Sequence, residues 1–368
     1  MIEKSYISSL TPLRGIAAIW VVLFHIDVSL FYRDLGALIS RDATGIFCKG
    51  YLWVDFFFLL SGFIIAHVYG ESLALRPRLP QVRHYLWARF SRLYPLHLFT
   101  FLCLIPPAIL LPIYFPQVVD DSWQTYFAWS AVPSNLLLTN AMNQHVHLSW
   151  NIVSWSIGAE WWTCVFAIVL IFFMHQRKLW QVSACMLAAF VALAWLARSL
   201  PDNNLDITFN YGFFRCFFEF VIGLGLYEFY RQKVARQYLA KDSLFILLLL
   251  SLVIIFHWKF YDLSIIPVFL VMILAAAYNR NKLCEILNKP IFQYLGNISY
   301  SIYLMHSLWF MVFWFSLPQW KLADPSLQFS PIMKLGYIAL FLGLTIISAH
   351  FSHQYIEVAG RRYLRKFF

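Results

Sequence analysis

The sequence predicts an all-α, polytopic integral membrane protein with about ten transmembrane helices and both termini in the cytoplasm. Of the 368 residues, 61% are hydrophobic and only 12% are charged, whereas about a quarter of the residues in an ordinary soluble domain are charged. Apolar runs long enough to cross a bilayer recur along the chain between short charged loops. No change in composition divides the chain, so we predict a single transmembrane domain over residues 1–368.

Ten spans can be drawn from the apolar runs. Spans seven and eight are shorter than the about 20 residues that a helix needs to cross a bilayer. They are either tilted spans or a helical hairpin that does not fully cross. The predicted spans are residues 11–31, 46–69, 94–115, 151–174, 179–199, 209–229, 243–257, 264–279, 291–316 and 332–357.

The distribution of basic residues predicts the orientation. The two tails and the loops after spans two, four, six and eight hold 19 of the 28 Lys and Arg residues. Because such residues favour the cytoplasmic side, both termini should lie there and the number of spans should be even. The charge of +10 is spread over alternate loops rather than gathered in one patch, so no nucleic-acid partner is predicted. The first apolar run contains Arg14 and lacks a small-residue cleavage site, so no cleaved signal peptide is expected.

Neither a disulfide framework nor a metal site is predicted. The six cysteines form no C-x-x-C pair and lie mostly within apolar runs, as small core residues do. His145 and His147 could bind a metal, but no carboxylate ligand lies near them in the sequence. The surrounding loop, residues 115–150, is rich in aromatic residues, which indicates either an interfacial helix or a cap over an outward-open cavity.

Arg14 and His25 are the ionisable residues of the first span. They are eleven residues apart, which returns them to nearly the same helix face at about 16 Å along the axis. An ionised side chain in hydrocarbon costs about 2.5–3.5 kcal/mol, so such residues normally face a cavity or a partner. The side chain of Arg14 either extends to lipid phosphates or belongs to a functional site. His25 either hydrogen-bonds a neighbouring helix or acts as a general base toward a hydroxyl.

Arg89 and Arg92 precede the third span on one helix face, and Pro95 should loosen the helix one turn later. The positive-inside rule alone would explain two arginines there. The functional alternative is a phosphate clamp, since arginine binds phosphate through charge-assisted and often bidentate hydrogen bonds.

Glu160 lies in the fourth span at a depth similar to that of His25. A carboxylate there should be protonated or paired, so we expect a partner such as His25 or Arg215. A purely structural ion pair is the alternative reading of Glu160.

The ninth span has a polar face. Tyr300, Tyr303 and Ser307 share this face above Gly296, and His306 follows Tyr303 by one turn. These side chains either line a cavity or join neighbouring helices by hydrogen bonds.

Taken together and in this order, these stretches resemble the acyltransferase-3 family of membrane-bound acyltransferases. The resemblance covers the chain from Leu10 to about His306. One departure is that Trp161 follows Glu160, where many members have a second acidic residue. The matching residues are Arg14 and His25, the phrase from Val54 to Ile65, Arg89 with Arg92 and Pro95, Trp155 with Ser156 and Glu160, and Ser299 with Tyr300, Tyr303, Leu304 and His306.

The resemblance implies a multi-pass O-acyltransferase of the bacterial inner membrane, in the form that lacks a fused hydrolase-like domain. It implies that acyl-CoA, usually acetyl-CoA, is the co-substrate and that no metal is needed. The acceptor would be a hydroxyl of an envelope glycan such as lipopolysaccharide, a lipid-linked saccharide or a small molecule. The identity of the acceptor, the acyl chain and the oligomeric state do not follow from the resemblance.

The expected roles follow from the resemblance and the topology. His25 would be the general base, and Glu160 would orient it or stabilise its charged form. Cytoplasmic acyl-CoA would be held by Arg14, Arg89 and Arg92, with the acceptor arriving from the other side. An acyl-histidine intermediate is the alternative to direct transfer. The candidates for contacts to the substrate or to the oxyanion are Ser156, Tyr300, Tyr303 and His306.

Two other functions fit buried ionisable residues. A proton-coupled transporter or flippase also uses them, although it typically has paired, interrupted spans in two related halves, and no such repeat is present. A structural or glycan-binding membrane subunit is the third possibility, and it would leave Arg89 and Arg92 with a topological role alone.

Overall fold

The protein is all-helical in the residues that the computed structural model describes, which are 7–74, 78–322 and 324–367. Helix makes up 76% of the structure, and the described residues contain no strand. Lys4 and Arg76, which contribute to the predicted excess of basic residues in the loops and tails, lie outside these ranges.

Helices of seven residues or more form the body of the fold. They are α1 (Leu10–Tyr32), α2 (Trp53–Ala74), α3 (Leu79–Tyr114), α4 (Ser154–Met174), α5 (Leu179–Ser199), α6 (Gly212–Arg231), α7 (Asp242–His257), α8 (Ile265–Tyr278), α9 (Pro290–Asn297), α10 (Ser299–Lys321), α11 (Pro331–Ser352) and α12 (Ala359–Arg365). Shorter turns of helix are Gly50–Leu52, Pro116–Val118, Trp123–Tyr126, Trp129–Ala131, Val132–Leu136, Arg236–Leu239, Asp262–Ser264 and Lys282–Leu287, and a π-helix spans His353–Val358.

Seven helical segments in the described ranges are long and apolar enough to cross a membrane. Six of them are α1, α2 with its preceding turn, α3, α4, α5 and α10. The seventh joins α11 to α12 through the π-helix. Helices α7 and α8 are apolar but shorter, and α6 contains Arg215, Glu219 and Glu228. The protein is therefore a membrane protein with several spans, while the total of ten and the cytoplasmic termini remain predictions.

Two predicted spans have different bounds in the structure. The span predicted at 94–115 is a helix of 36 residues that already begins at Leu79 and continues through Pro95. Arg89 and Arg92 therefore lie within a helix. The span predicted at 291–316 is two helices, because the backbone leaves helical geometry at Ile298. Gly296 and Asn297, which precede this break, are weak helix formers.

Glycines allow α1 to approach α9 closely. A Cβ atom on Gly296 would lie 2.2 Å from the carbonyl oxygen of Thr11, and one on Gly15 would lie 2.7 Å from the backbone nitrogen of Gly296. Small residues at such contacts let helix backbones pack directly in a membrane. This contact fixes the first turns of α1, which carry Arg14, against the end of α9 that leads into the polar helix α10.

We predict that Gly296→Ala lowers the free energy of unfolding by about 1–3 kcal/mol, because the added methyl group overlaps the backbone of α1. Thermal unfolding of the purified protein in detergent measures the change. Gly343→Ala is the matched control, since among the described residues no atom outside its own stretch of helix backbone lies within 4 Å of the position that its Cβ would occupy. Equal melting temperatures for the two variants would contradict the close contact.

Candidate active site

One cavity opens among the arginines that the sequence singled out. We call it the arginine cavity, and its volume is about 780 Å³. It lies between the first half of α1, the first half of α2 and the arginine-bearing turns of α3, with α4 and α10 completing the wall. The polar side chains that line it include Arg14, Arg89, Arg92, Glu160, Ser61 and Tyr300.

A second and larger cavity, of about 1370 Å³, contains His25. We call it the histidine cavity. The aromatic loop of residues 115–150, for which a cap over a cavity is one of the two sequence interpretations, contributes to the wall. Its residues there include Tyr126 and His147. Burial raises the pKa of Tyr126 to about 12, so its hydroxyl remains a hydrogen-bond donor at neutral pH. Other polar groups on the wall are Arg41, Tyr51, Thr125, Asp206 and Thr208.

The two cavities approach each other at Val54 and Tyr303, since both residues line both cavities. Helix α1 runs alongside, with Arg14 at the arginine cavity and His25 at the histidine cavity. Arg14 and His25 therefore line different cavities along one helix, while their assignment to donor and acceptor sides remains a prediction. The arginine cavity lies at the face of the bundle where α1 begins.

Loops beside the histidine cavity are tied together by buried charges. The hydroxyl of Tyr51 donates to Asp262 at 2.6 Å, and the same carboxylate accepts from the backbone nitrogen of Leu205 at 2.9 Å. Lys49 forms an ion pair with Asp262 as well. The sequence reasoning missed Asp262, whose only signal was an acidic residue in the turn between two short apolar runs.

Glu160 pairs with Arg89, and the hydroxyl of Ser61 donates to the same carboxylate oxygen at 2.8 Å. The expectation that Glu160 would pair with His25 or Arg215 is wrong. Position along a helix gives depth in the membrane, but the rotation of α4 turns Glu160 toward the arginine cavity. The Nε atom of Arg89 is buried and has no hydrogen-bond partner among the described residues.

Arg215 serves another carboxylate. Its guanidinium makes a bidentate pair with Asp55, at 2.9 Å from Nε and 2.7 Å from Nη2. It also donates to the backbone oxygen of Ile207 at 3.2 Å. Ile207 precedes Thr208 in the wall of the histidine cavity, so this fully buried pair ties the start of α2 to that wall.

His25 contacts His306, which follows Tyr303 by one turn on α10. The Nδ1 atom of His25 lies 2.9 Å from the carbonyl oxygen of Val21 and 3.3 Å from the Nε2 atom of His306. A carbonyl oxygen can only accept, so Nδ1 of His25 carries the hydrogen and Nε2 has the free lone pair. In the part of the chain that the structure describes, this Nε2 makes no hydrogen bond. The arrangement suits a general base that faces the cavity.

The two tyrosines of α10 have different partners. The hydroxyl of Tyr303 lies 2.7 Å from that of Ser156, which itself donates to the carbonyl oxygen of Val153 at 3.0 Å. The hydroxyl of Tyr300 donates to the carbonyl oxygen of Leu93 at 2.6 Å. Tyr303 lies at the junction of the cavities, whereas the proton of Tyr300 is already committed to α3.

The histidines considered as metal ligands have other surroundings. His145 hydrogen-bonds to Ser134, with 2.7 Å between Nε2 and the hydroxyl oxygen, while His147 lines the histidine cavity. Among the described residues, no group of three or more His, Cys, Asp or Glu side chains is placed to hold a metal ion.

Comparisons with known proteins point to one class of enzyme. A family model described as an acyltransferase domain, Acyl_transf_3, matches residues 7–352. The chain is 26% identical over 322 residues to the acyltransferase MdmB of Streptomyces mycarofaciens. This match covers 81% of this chain and 77% of that protein. It is 36% identical over 113 residues to Protein 2 in picA locus of Rhizobium radiobacter, a match that covers 30% of this chain and 51% of that protein. No solved structure matches the chain.

Proposed function

Because this chain belongs to the acyltransferase-3 family of membrane acyltransferases, we propose that it moves an acetyl group from cytoplasmic acetyl-CoA to a hydroxyl of an envelope glycan or lipid-linked saccharide. One observation carries the proposal: a cavity rich in arginine and a cavity that contains a histidine base approach each other at Val54 and Tyr303. A donor and an acceptor can therefore approach the same point from opposite sides of a bacterial inner membrane.

The arginine cavity suits the donor. Acyl-CoA has phosphate groups at one end and a thioester at the other, joined by the long pantetheine arm. Arg14, Arg89 and Arg92, which line this cavity, would hold the phosphates through charge-assisted hydrogen bonds. Glu160 then acts as a positioning residue, because its ion pair fixes the side chain of Arg89. The pantetheine arm would extend toward Tyr303.

The histidine cavity suits a saccharide acceptor. Its wall combines aromatic rings with a small number of hydrogen-bonding side chains, as in most sites for small organic ligands. Trp155 and Phe310 offer apolar faces, while Asp206 and Thr208 offer oxygen atoms to hydroxyl groups.

Transfer would begin when Nε2 of His25 takes the proton of the acceptor hydroxyl. The hydroxyl oxygen attacks the thioester carbonyl and forms a tetrahedral oxyanion. Tyr303 could donate a hydrogen bond to this oxyanion once its hydroxyl turns from Ser156. The carbon–sulfur bond then breaks, the ester is released, and the proton on His25 passes to the CoA thiolate.

His306 would hold the His25 ring in the tautomer that this step needs, because its Nε2 accepts from Nδ1 of His25. We predict that His306→Ala lowers kcat about tenfold with a smaller effect on either KM, and that it shifts the pH dependence of kcat. His306→Gln, whose side-chain oxygen can accept the same hydrogen bond, should recover part of the rate. An unchanged pH profile in His306→Ala would reduce His306 to a packing role.

Purified protein with labelled acetyl-CoA and a glycan extract tests the proposal. We expect release of CoA to match the appearance of label in the glycan, and mass spectrometry of the envelope should show the same acetyl mass lost in cells without the protein. A transporter would leave acetyl-CoA intact. Intact acetyl-CoA and an unchanged envelope would reject the proposed function.

A further inference from the structure

The last helix lies directly on the turns of α3 that carry Arg89 and Arg92. The indole nitrogen of Trp87 donates to the carbonyl oxygen of Leu364 at 2.8 Å. Eight residues farther along α3, a Cβ atom on Gly360 would lie 2.8 Å from the Cβ atom of Pro95. From the first of these contacts to the second, residue numbers increase along α3 and decrease along α12. Helix α12 therefore runs antiparallel to α3 over this segment.

Arg361 follows Gly360 on α12 and lies among like charges. It is close enough to Arg92 and Arg365 for electrostatic repulsion between the guanidinium groups. Its Nε atom is buried and makes no hydrogen bond within the described residues. Three neighbouring guanidinium groups repel one another, so an anion bound near them would lower their electrostatic energy.

The nearest acidic residue on the same chain segment is already engaged. The Oε2 atom of Glu357 accepts hydrogen bonds from the hydroxyl of Ser301 at 2.8 Å and from Nδ1 of His353 at 2.9 Å. Both contacts are to the same oxygen, Oε2, so this single carboxylate can offset only part of the charge of Arg92, Arg361 and Arg365. Glu357 therefore attracts Arg361 but does not saturate the group of arginines.

The π-helix of residues 353–358 sets this geometry. Such insertions in a helix are uncommon and occur frequently at functional sites. Here the insertion joins α11 to α12 and includes Glu357, whose partner Ser301 follows Tyr300 of the arginine cavity. Glu357 in the π-helix therefore contacts α10 next to the cavity wall, and Arg361 in the following turn lies near Arg92 of α3.

We propose that Arg361, flanked by Arg365, binds the 3′-phosphate on the ribose of acyl-CoA. The inference rests on the proposed function. Acyl-CoA has two separate phosphate sites: the diphosphate next to the pantetheine arm and the 3′-phosphate on the nucleoside beyond it. Arg89 and Arg92 line the cavity into which the arm would enter, so they would meet the diphosphate. Arg361 lies near Arg92 but does not line the arginine cavity, so it would meet the part of the donor that remains outside, the nucleoside.

Acetyl-CoA and acetyl-3′-dephospho-CoA, compared as donors, test this assignment. For the unaltered protein we expect the dephospho donor to have a KM at least about tenfold higher, as loss of a hydrogen bond to a charged group would produce. Arg361→Gln should raise the KM for acetyl-CoA by a similar factor and leave the KM for the dephospho donor unchanged. Arg361→Lys, which keeps the charge, should retain part of the preference.

Arg362→Gln is the matched control, because Arg362 is exposed on the same helix. It should retain the full preference for the 3′-phosphate, and melting temperatures verify that each variant is folded. Equal KM values of the unaltered protein for both donors, or an equal rise for both donors in Arg361→Gln, would overturn this inference and leave the proposed function intact. If the unaltered protein used neither donor, the proposed function would fail and this inference with it.

Discussion

His25→Ala is expected to lower kcat by about a hundredfold to ten-thousandfold, which is the usual contribution of a positioned general base. His25 contributes to the histidine cavity and does not line the arginine cavity. The KM for acetyl-CoA should therefore change little, and the loss should appear in the chemical step. Initial rates with purified protein at saturating concentrations of donor and acceptor measure it.

His84→Ala provides a matched control for His25→Ala, because His84 is an exposed histidine on α3 away from both cavities. Its rate should equal that of the unaltered protein. A His25→Ala protein that acetylates the acceptor at the normal rate would remove His25 from the chemistry. An acetylated His25 isolated after incubation without acceptor would instead replace direct transfer with a covalent intermediate.

Arg89→Ala is expected to raise the KM for acetyl-CoA by about tenfold to a hundredfold and to change the KM for the acceptor far less. It should also lower the free energy of unfolding, since Glu160 would lose its ion partner. Breaking a buried pair costs about 3–5 kcal/mol. Because the side chain of Glu160 is 20% exposed and solvent screens its charge, we expect a smaller loss of about 2 kcal/mol, which thermal unfolding measures.

A second substitution separates the two effects of Arg89→Ala. Arg89→Ala combined with Glu160→Gln removes the unpaired charge, so it should recover stability while the KM for acetyl-CoA stays high. Arg83→Ala on the exposed side of α3 is the control for loss of one positive charge. Equal changes in both KM values for Arg89→Ala would assign Arg89 to topology alone.

The sequence sufficed to predict that one helix contains both Arg14 and His25, for a physical reason. Hydropathy locates the helix, and its period of 3.6 residues fixes the spacing and the shared face of side chains along it. Those two quantities are properties of a single helix. The same reasoning found the polar face of α10 with Tyr303 and His306.

Contacts between helices could not be predicted in the same way. Depth in the membrane made His25 a reasonable partner for Glu160, but the packing of α4 against α3 and α2 brought it to Arg89 and Ser61. The contact between His25 and His306 joins residues 281 positions apart. No local pattern encodes such a distance, although both residues were candidates separately.

Helix bounds also exceeded what hydropathy can resolve. The turns of α3 before residue 94 contain many polar residues, so the apolar run understates a helix that begins at Leu79. Conversely, one apolar run contains the helix break at Ile298. Only the weak helix formers Gly296 and Asn297 indicate this break in the sequence. Arg361 lies beside Arg92 because the last helix packs against α3, which is a contact between distant parts of the sequence. The sequence alone therefore predicted no role for the last helix.

In the proposed reaction, donor and acceptor reach His25 from opposite faces of the membrane. Proteoliposomes with the protein in one orientation test it directly, with labelled acetyl-CoA on one side and a membrane-impermeant saccharide acceptor on the other. We predict acetylated saccharide only when acetyl-CoA is on the face where α1 begins and the acceptor is on the opposite face. Product formed only when both substrates are on the same face would contradict the claim.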